Sequence, residues 1–137
     1  MNSTKPHQHK PVFFVIDDDI DDRELFKEAL QEIDPDIVCV TAQNGEEALT
    51  MLRNNHFDVH PDFIFLDLNM PRLNGQQCLQ EIKKMPGYSA IPVIIYSTSS
   101  AKKDMEESAR LGATKFFTKP SSFDELRNQL NALIFSI

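Results

Sequence analysis

Residues 12–19 read VFFVIDDD: five consecutive apolar side chains, then three carboxylates. Five residues are too few for a buried helix and suit a strand covered on both faces. The acids mark where the chain leaves the interior. The same pattern recurs down the chain. FIFL (63–66) stops at Asp67, PVIIY (92–96) at Ser97, and TKFFT (114–118) at Lys119-Pro120. IVCV (37–40) passes less pointedly into Thr41-Ala42-Gln43. Between these runs apolar residues return at helical spacing. Leu25, Phe26, Ala29, Leu30 and Ile33 form one stripe, closed by Pro35. Ala48, Leu49 and Leu52 follow an Asn44-Gly45 turn, and Cys78, Leu79 and Ile82 mark a third helix. Residues 101–111 end at Gly112, a natural C′ residue. Phe123, Leu126, Leu130, Leu133 and Ile134 make the last stripe. Ser122 is its expected N-cap, with Glu125 three residues on completing a capping box. Five strands strictly alternating with five helices imply right-handed βαβ units. The fold class is α/β, a parallel sheet between two helical layers.

The chain has 137 residues, 41% hydrophobic and 26% charged, which suits one globular domain. Residues 1–10 are polar and without periodicity and read as a disordered N-terminal tail. Residues 11–137 read as the domain, with no effector domain after the fifth helix. Twenty-one acids against 14 bases give a net charge of −7. Such a surface repels phosphate backbones, so direct DNA binding and anionic membranes are disfavoured as partners. Cys39 and Cys78 lie in apolar stretches and read as reduced thiols of a cytoplasmic protein. No apolar run approaches the length of a membrane span, and no secretion signal is visible. His7 and His9 stand on the tail. His56 and His60 are four apart, but Pro61 after them suggests a loop, so neither pair reads as a metal site.

Parallel strands bring their carboxyl ends to one edge of the sheet, where open α/β folds bind ligands. Asp17, Asp18 and Asp19 then share that edge with Asp67, Ser97 and Lys119. Crowded carboxylates repel one another, and a hard divalent cation relieves the conflict. The expected Mg²⁺ ligands are Asp18, Asp67 and the main-chain carbonyl of Asn69, with Asp17 direct or through water. Adding the Lys119 ammonium and the Ser97 hydroxyl makes a cradle for a phosphoryl group. Asp67, inside it, is the natural nucleophile. Asp21 and Asp22 read only as acids favoured by a helix N-terminus.

Four segments carry a resemblance: VIDDD (15–19), FLDLNMPRLNG (65–75), PVIIYSTSS (92–100) and GATKFFTKP (112–120). Together they resemble the receiver domain of two-component response regulators, over about residues 11–137. The resemblance implies a flavodoxin-like doubly wound sheet of strand order 2-1-3-4-5. It implies a phosphorylated Asp67, an acid pair Asp17 and Asp18, and a carbonyl ligand at Asn69, with Mg²⁺ (Mn²⁺ in its place) as cofactor. Ser97 is similar to the switch hydroxyl, and Lys119 to the family's lysine. Pro120 follows Lys119, where a cis bond is common in the family, and Gly75 fits the glycine opening the third helix. Phe116 stands where the family often switches a tyrosine. The implied partners are a sensor histidine kinase or histidine phosphotransfer protein and a separate downstream protein. That partner would dock on the face of the fourth helix, fifth strand and fifth helix, where Lys102, Lys103, Arg110 and Lys115 add basic charge. The same face could serve a homodimer. The chain would be a signalling module rather than an enzyme.

Three other readings remain. An aspartate-nucleophile phosphatase of haloacid-dehalogenase type could use Asp17-x-Asp19, but it needs a late acid pair. Only Asp124 and Glu125 follow Lys119. A flavin-binding domain would need a phosphate loop in place of this acidic rim. A receiver that is never phosphorylated would keep the fold and bind partners only.

Overall fold

The computed structural model describes residues 11–54 and 60–135. The tail (residues 1–10, with His7 and His9) and His56 lie outside them. Ten elements alternate without exception: β1 (Val12–Ile16), α1 (Ile20–Ile33), β2 (Val38–Ala42), α2 (Gly45–Arg53), β3 (Phe63–Leu66), α3 (Gly75–Lys84), β4 (Val93–Ser97), α4 (Lys102–Arg110), β5 (Lys115–Thr118) and α5 (Phe123–Ile134). All neighbouring strands pair in parallel, in the order β2-β1-β3-β4-β5. The expected flavodoxin-like, doubly wound sheet is therefore present.

Continuous apolar runs hide an alternation of two. Phe13 and Val15 of β1, Phe63 and Phe65 of β3, and Ile94 and Tyr96 of β4 face α1 and α5. Phe14, Ile16, Ile64, Leu66, Val93 and Ile95 face α2 and α3. On the first side Phe26 of α1 meets Phe65 edge-on at 4.7 Å between centroids, and Tyr96 at 5.5 Å. Aromatic pairs in this geometry stabilise by about 1 kcal/mol beyond their buried area. The central strands β1, β3 and β4 are buried almost throughout, whereas β2 and β5, at the edges, are half-exposed. Lys115 opens β5 on the exposed edge, a charge that discourages edge pairing.

Helix ends differ in detail from the sequence expectation. Asn44-Gly45 is no turn: Asn44 caps α2 by accepting the Glu47 N–H at 2.7 Å. Ser122 caps α5, accepting the Glu125 N–H at 3.1 Å, but the Glu125 carboxylate takes the Ser122 hydroxyl rather than its backbone N–H. A complete capping box forms instead at α3, between Asn74 and Gln77. Gly112 has φ 107° after α4, as a C′ glycine should. His60, next to a described Pro61, packs its ring 4.6 Å from Tyr88.

Candidate functional site

At the switch point, β1 and β3 lie side by side, with Ile16 opposite Leu66 in register. One residue beyond each, Asp17 and Asp67 emerge together, and the Asp67 N–H donates to the Ile16 carbonyl at 3.0 Å. Both carboxylates are nearly closed off from solvent, at 2% and 6% exposure, while Asp18 is exposed. Oxygens of Asp17, Asp18 and Asp67 all lie within 4.8 Å of one another. Three hard oxygen donors so close could hold a divalent cation of the Mg²⁺ or Mn²⁺ kind. The expected clustering of these acids is therefore found.

Lys119 meets them from the α1/α5 side of the sheet. Its side chain is 9% exposed, and Nζ lies 2.7 Å from Asp17, 2.8 Å from Asp22 and 3.4 Å from Asp67. Tyr96 supports the ammonium with its ring, 5.6 Å to the centroid. Asp22 is the residue that sequence reasoning missed. It is more than a solvated helix acid: the first turn of α1 delivers it to the lysine. No spacing along the chain marks it, because a helix N-terminus by itself accounts for an acid there.

Burial governs the charges here. Desolvation raises the Asp17 carboxyl to about 6, against the opposing pull of Lys119 and the Asp19 N–H. Desolvation likewise raises Asp67, again opposed by Lys119. Burial alone would lower the Lys119 ammonium, but the hydrogen bonds and charges of its carboxylates outweigh it and raise it. Lys119 thus does in the metal-free protein part of what the sequence led us to expect of a metal. Removing it should leave two buried carboxylates without their counter-ion. Lys119→Met is expected to lose about 3 kcal/mol at pH 7.5 without metal. The sign with pH is fixed by the raised carboxyls. A folded value above the unfolded one gives stability that is full below pH 3.8 and is lost as pH rises through about 6. The deficit of Lys119→Met should therefore shrink toward pH 5; urea melts across pH 5–8 that keep a constant deficit would refute this charge account.

Ser97 closes β4, is fully buried, and its hydroxyl accepts the Ser99 N–H at 3.2 Å. Thr118, its neighbour on β5, donates to the Ser99 carbonyl at 3.1 Å, pinning the β4–α4 loop. Asn69 is exposed and donates its N–H to Asp67 Oδ1 at 3.3 Å. Phe116 lies opposite Ile95 in register and packs, partly buried, against the α2/α3 side of the core. No cis peptide bond occurs among the described residues, so Lys119-Pro120 is trans, contrary to the family tendency. On the α4 face Arg110 is already paired with Glu107 at 2.7 Å.

The sheet is flavodoxin-like, with an acidic, lysine-bridged pocket at its switch point. The chain belongs to the response regulator receiver domain family, whose sequence profile matches residues 13–131. It is 33% identical to protein PilG of Pseudomonas aeruginosa, over 86% of this chain and 83% of that one. Two solved structures superpose closely. The phosphorylated cyanobacterial phytochrome response regulator RcpA does so with TM-score 0.83 and 31% identity, over 91% of each chain. The Mn²⁺-bound form of response regulator Rcp1 gives 0.79 and 27%, over 90% of this chain and 91% of that one. Other curated relatives are longer; the chain spans 34% and 49% of the length of two of them. Receiver domains serve two-component systems as signalling modules, and this one is similar to chemotaxis regulators in fold. Among the described residues no helix is long and apolar enough to cross a membrane.

Proposed function

We propose that this receiver accepts a phosphoryl group on Asp67 from a phosphohistidine of a sensor histidine kinase or phosphotransfer protein. One observation carries the reading: Asp67 sits buried beside two further acids, with the Lys119 ammonium 3.4 Å away. An Asp67 oxygen forms the new O–P bond in line with the breaking P–N bond, whose electron pair stays on the imidazole. Lys119 then shifts its ammonium to the new phosphoryl oxygens, with the Ser97 hydroxyl as a further donor. Asp17, Asp18, Asp67 and the Asn69 carbonyl would hold Mg²⁺, which would supply positive charge for those oxygens. A phosphorylated relative and a Mn²⁺-bound relative of the same fold support this assignment. Movement of Ser97 would open space for Phe116, and the α4–β5–α5 face would change shape for a downstream partner or a second copy.

Acetyl phosphate provides the test. With Mg²⁺ the chain should gain one phosphoryl group by intact mass, and proteolytic mapping should place it on Asp67. No uptake, or uptake mapped elsewhere, overturns the assignment. Steady turnover of p-nitrophenyl phosphate would favour the phosphatase reading. Mg²⁺ alone should also stabilise the fold: at about 100 times its dissociation constant, linkage contributes about 2.7 kcal/mol. For a domain of this size that is a rise in Tm of roughly 10 °C. A Tm indifferent to Mg²⁺ would count against the metal ligands.

A further inference from the structure

We propose that Asp22 is a positioning residue, drawing the Lys119 ammonium toward α1 so that Asp67 stays lightly bonded and open to the donor and to a cation. The proposal rests on the reading of Asp67 as phosphoryl acceptor. Bond lengths divide the cluster in two. Lys119 Nζ is 2.7 Å from Asp17 and 2.8 Å from Asp22, but 3.4 Å from Asp67. Asp17 also accepts the Asp19 N–H at 2.9 Å, whereas Asp67 accepts the Asn69 N–H only at 3.3 Å. Both bonds reaching the acceptor are long, and those on either side of it are short. Short charge-assisted bonds tie up a carboxylate's lone pairs and weaken it as a nucleophile. An ammonium has three N–H groups, and here Asp17 and Asp22 hold it away from Asp67.

Asp22 is built to do this. Its own N–H is held at 3.2 Å by Asp19, the N-cap of α1. Arg23 ties the same turn to the Asp17 carbonyl at 2.7 Å. The Asp22 side chain is 34% exposed, against 3% for Asp17 and 8% for Asp67, so it reaches the ammonium from the solvent side of the pocket. Without Asp22, the attraction of Asp67 for the ammonium goes unopposed on that side. Lys119 then closes on Asp67, blocking the lone pairs and placing positive charge nearer the cation site.

Asp22→Asn in the full chain tests this, since it keeps the side chain's size and removes the charge. Labelling of Asp67 by acetyl phosphate should slow about five-fold, close to one kilocalorie of barrier. The dissociation constant for Mg²⁺, measured by calorimetry without donor, should rise by a similar factor. Asp21→Asn is the control: Asp21 is exposed in the same turn and is not among the Lys119 partners. It removes the same unit of charge and should change both quantities by less than about two-fold. Asp22→Glu should restore most of the labelling rate. In the metal-free protein the ¹⁵N signal of the Lys119 ammonium should move in Asp22→Asn and stay in place in Asp21→Asn. Should Asp22→Asn match Asp21→Asn in rate, affinity and signal while the wild type labels Asp67, the positioning role is overturned. No labelling of the wild type overturns the acceptor reading, and this role with it.

Discussion

Asp67→Asn should take up no phosphoryl group from acetyl phosphate, and its metal-free form should melt above the wild type. The two effects have one origin. Asp67 is 6% exposed, and desolvation raises its carboxyl. The ionised form is therefore held in the fold at a cost that a neutral isostere does not incur. Asparagine keeps an acceptor oxygen for the Asn69 N–H, while Lys119 keeps Asp17 and Asp22 as partners. The gain at pH 7.5 takes its sign from that desolvation and should appear as a rise in Tm over the wild type. Because the raised carboxyl is neutralised as pH falls, the gain should fade toward acid pH. An amide is a poor ligand for Mg²⁺, so the magnesium-induced rise in Tm should shrink in parallel. Phosphate-affinity gels and thermal melts at two pH values read all three effects. Undiminished uptake by the variant would sink Asp67 as the acceptor, whatever the melts show.

The fold and the candidate site were legible to different depths, for physical reasons. Strands were readable because each apolar run ends at a charge, and because five runs alternating with five helices leave few topologies. That topology alone brings Asp17, Asp67, Ser97 and Lys119 to one edge, and the structure places them there. Asp22 was harder. A helix N-terminus accounts for an acid at that position by itself, so the sequence offers no reason to look further. Its second role appears only when Lys119, 97 residues away, is brought within 2.8 Å. Lys119, expected in the pocket from its place after β5, pairs there with Asp17 and Asp67 as well as with Asp22. The capping boxes show the limit of local patterns. Ser122 and Glu125 have the right spacing, yet hydroxyl and carboxylate bond each other directly, and the reciprocal box falls to Asn74 and Gln77.

Gly75 carries the sharpest conflict between local rule and tertiary fact. It is the first residue of α3, where alanine is the better helix former by about 1 kcal/mol. Propensity alone therefore predicts that Gly75→Ala stabilises. The structure predicts the opposite. A Cβ at this position would run into the carbonyl oxygen of Asp67 and come within 2.6 Å of the Leu68 Cα. These are backbone atoms at the end of β3, a buried strand paired on both sides, and they cannot turn aside as a side chain can. The Gly75 N–H also donates to the Leu68 carbonyl at 3.0 Å, so α3 is tied to the loop it would have to leave. Gly75→Ala should lose about 3 kcal/mol, the upper range for an overpacked site. Relief must come from shifting Asp67, so phosphoryl uptake should slow as well. Gly45 supplies the contrast. It also opens a helix, but its Cβ would meet Leu73 no closer than 3.1 Å, and one of those atoms is a side-chain methyl free to move. Gly45→Ala should stay within about 1 kcal/mol of the wild type, with helix propensity offsetting the contact. Urea melts of the two variants decide the matter. A Gly75→Ala protein as stable as Gly45→Ala would mean that α3 does not begin hard against the acceptor strand.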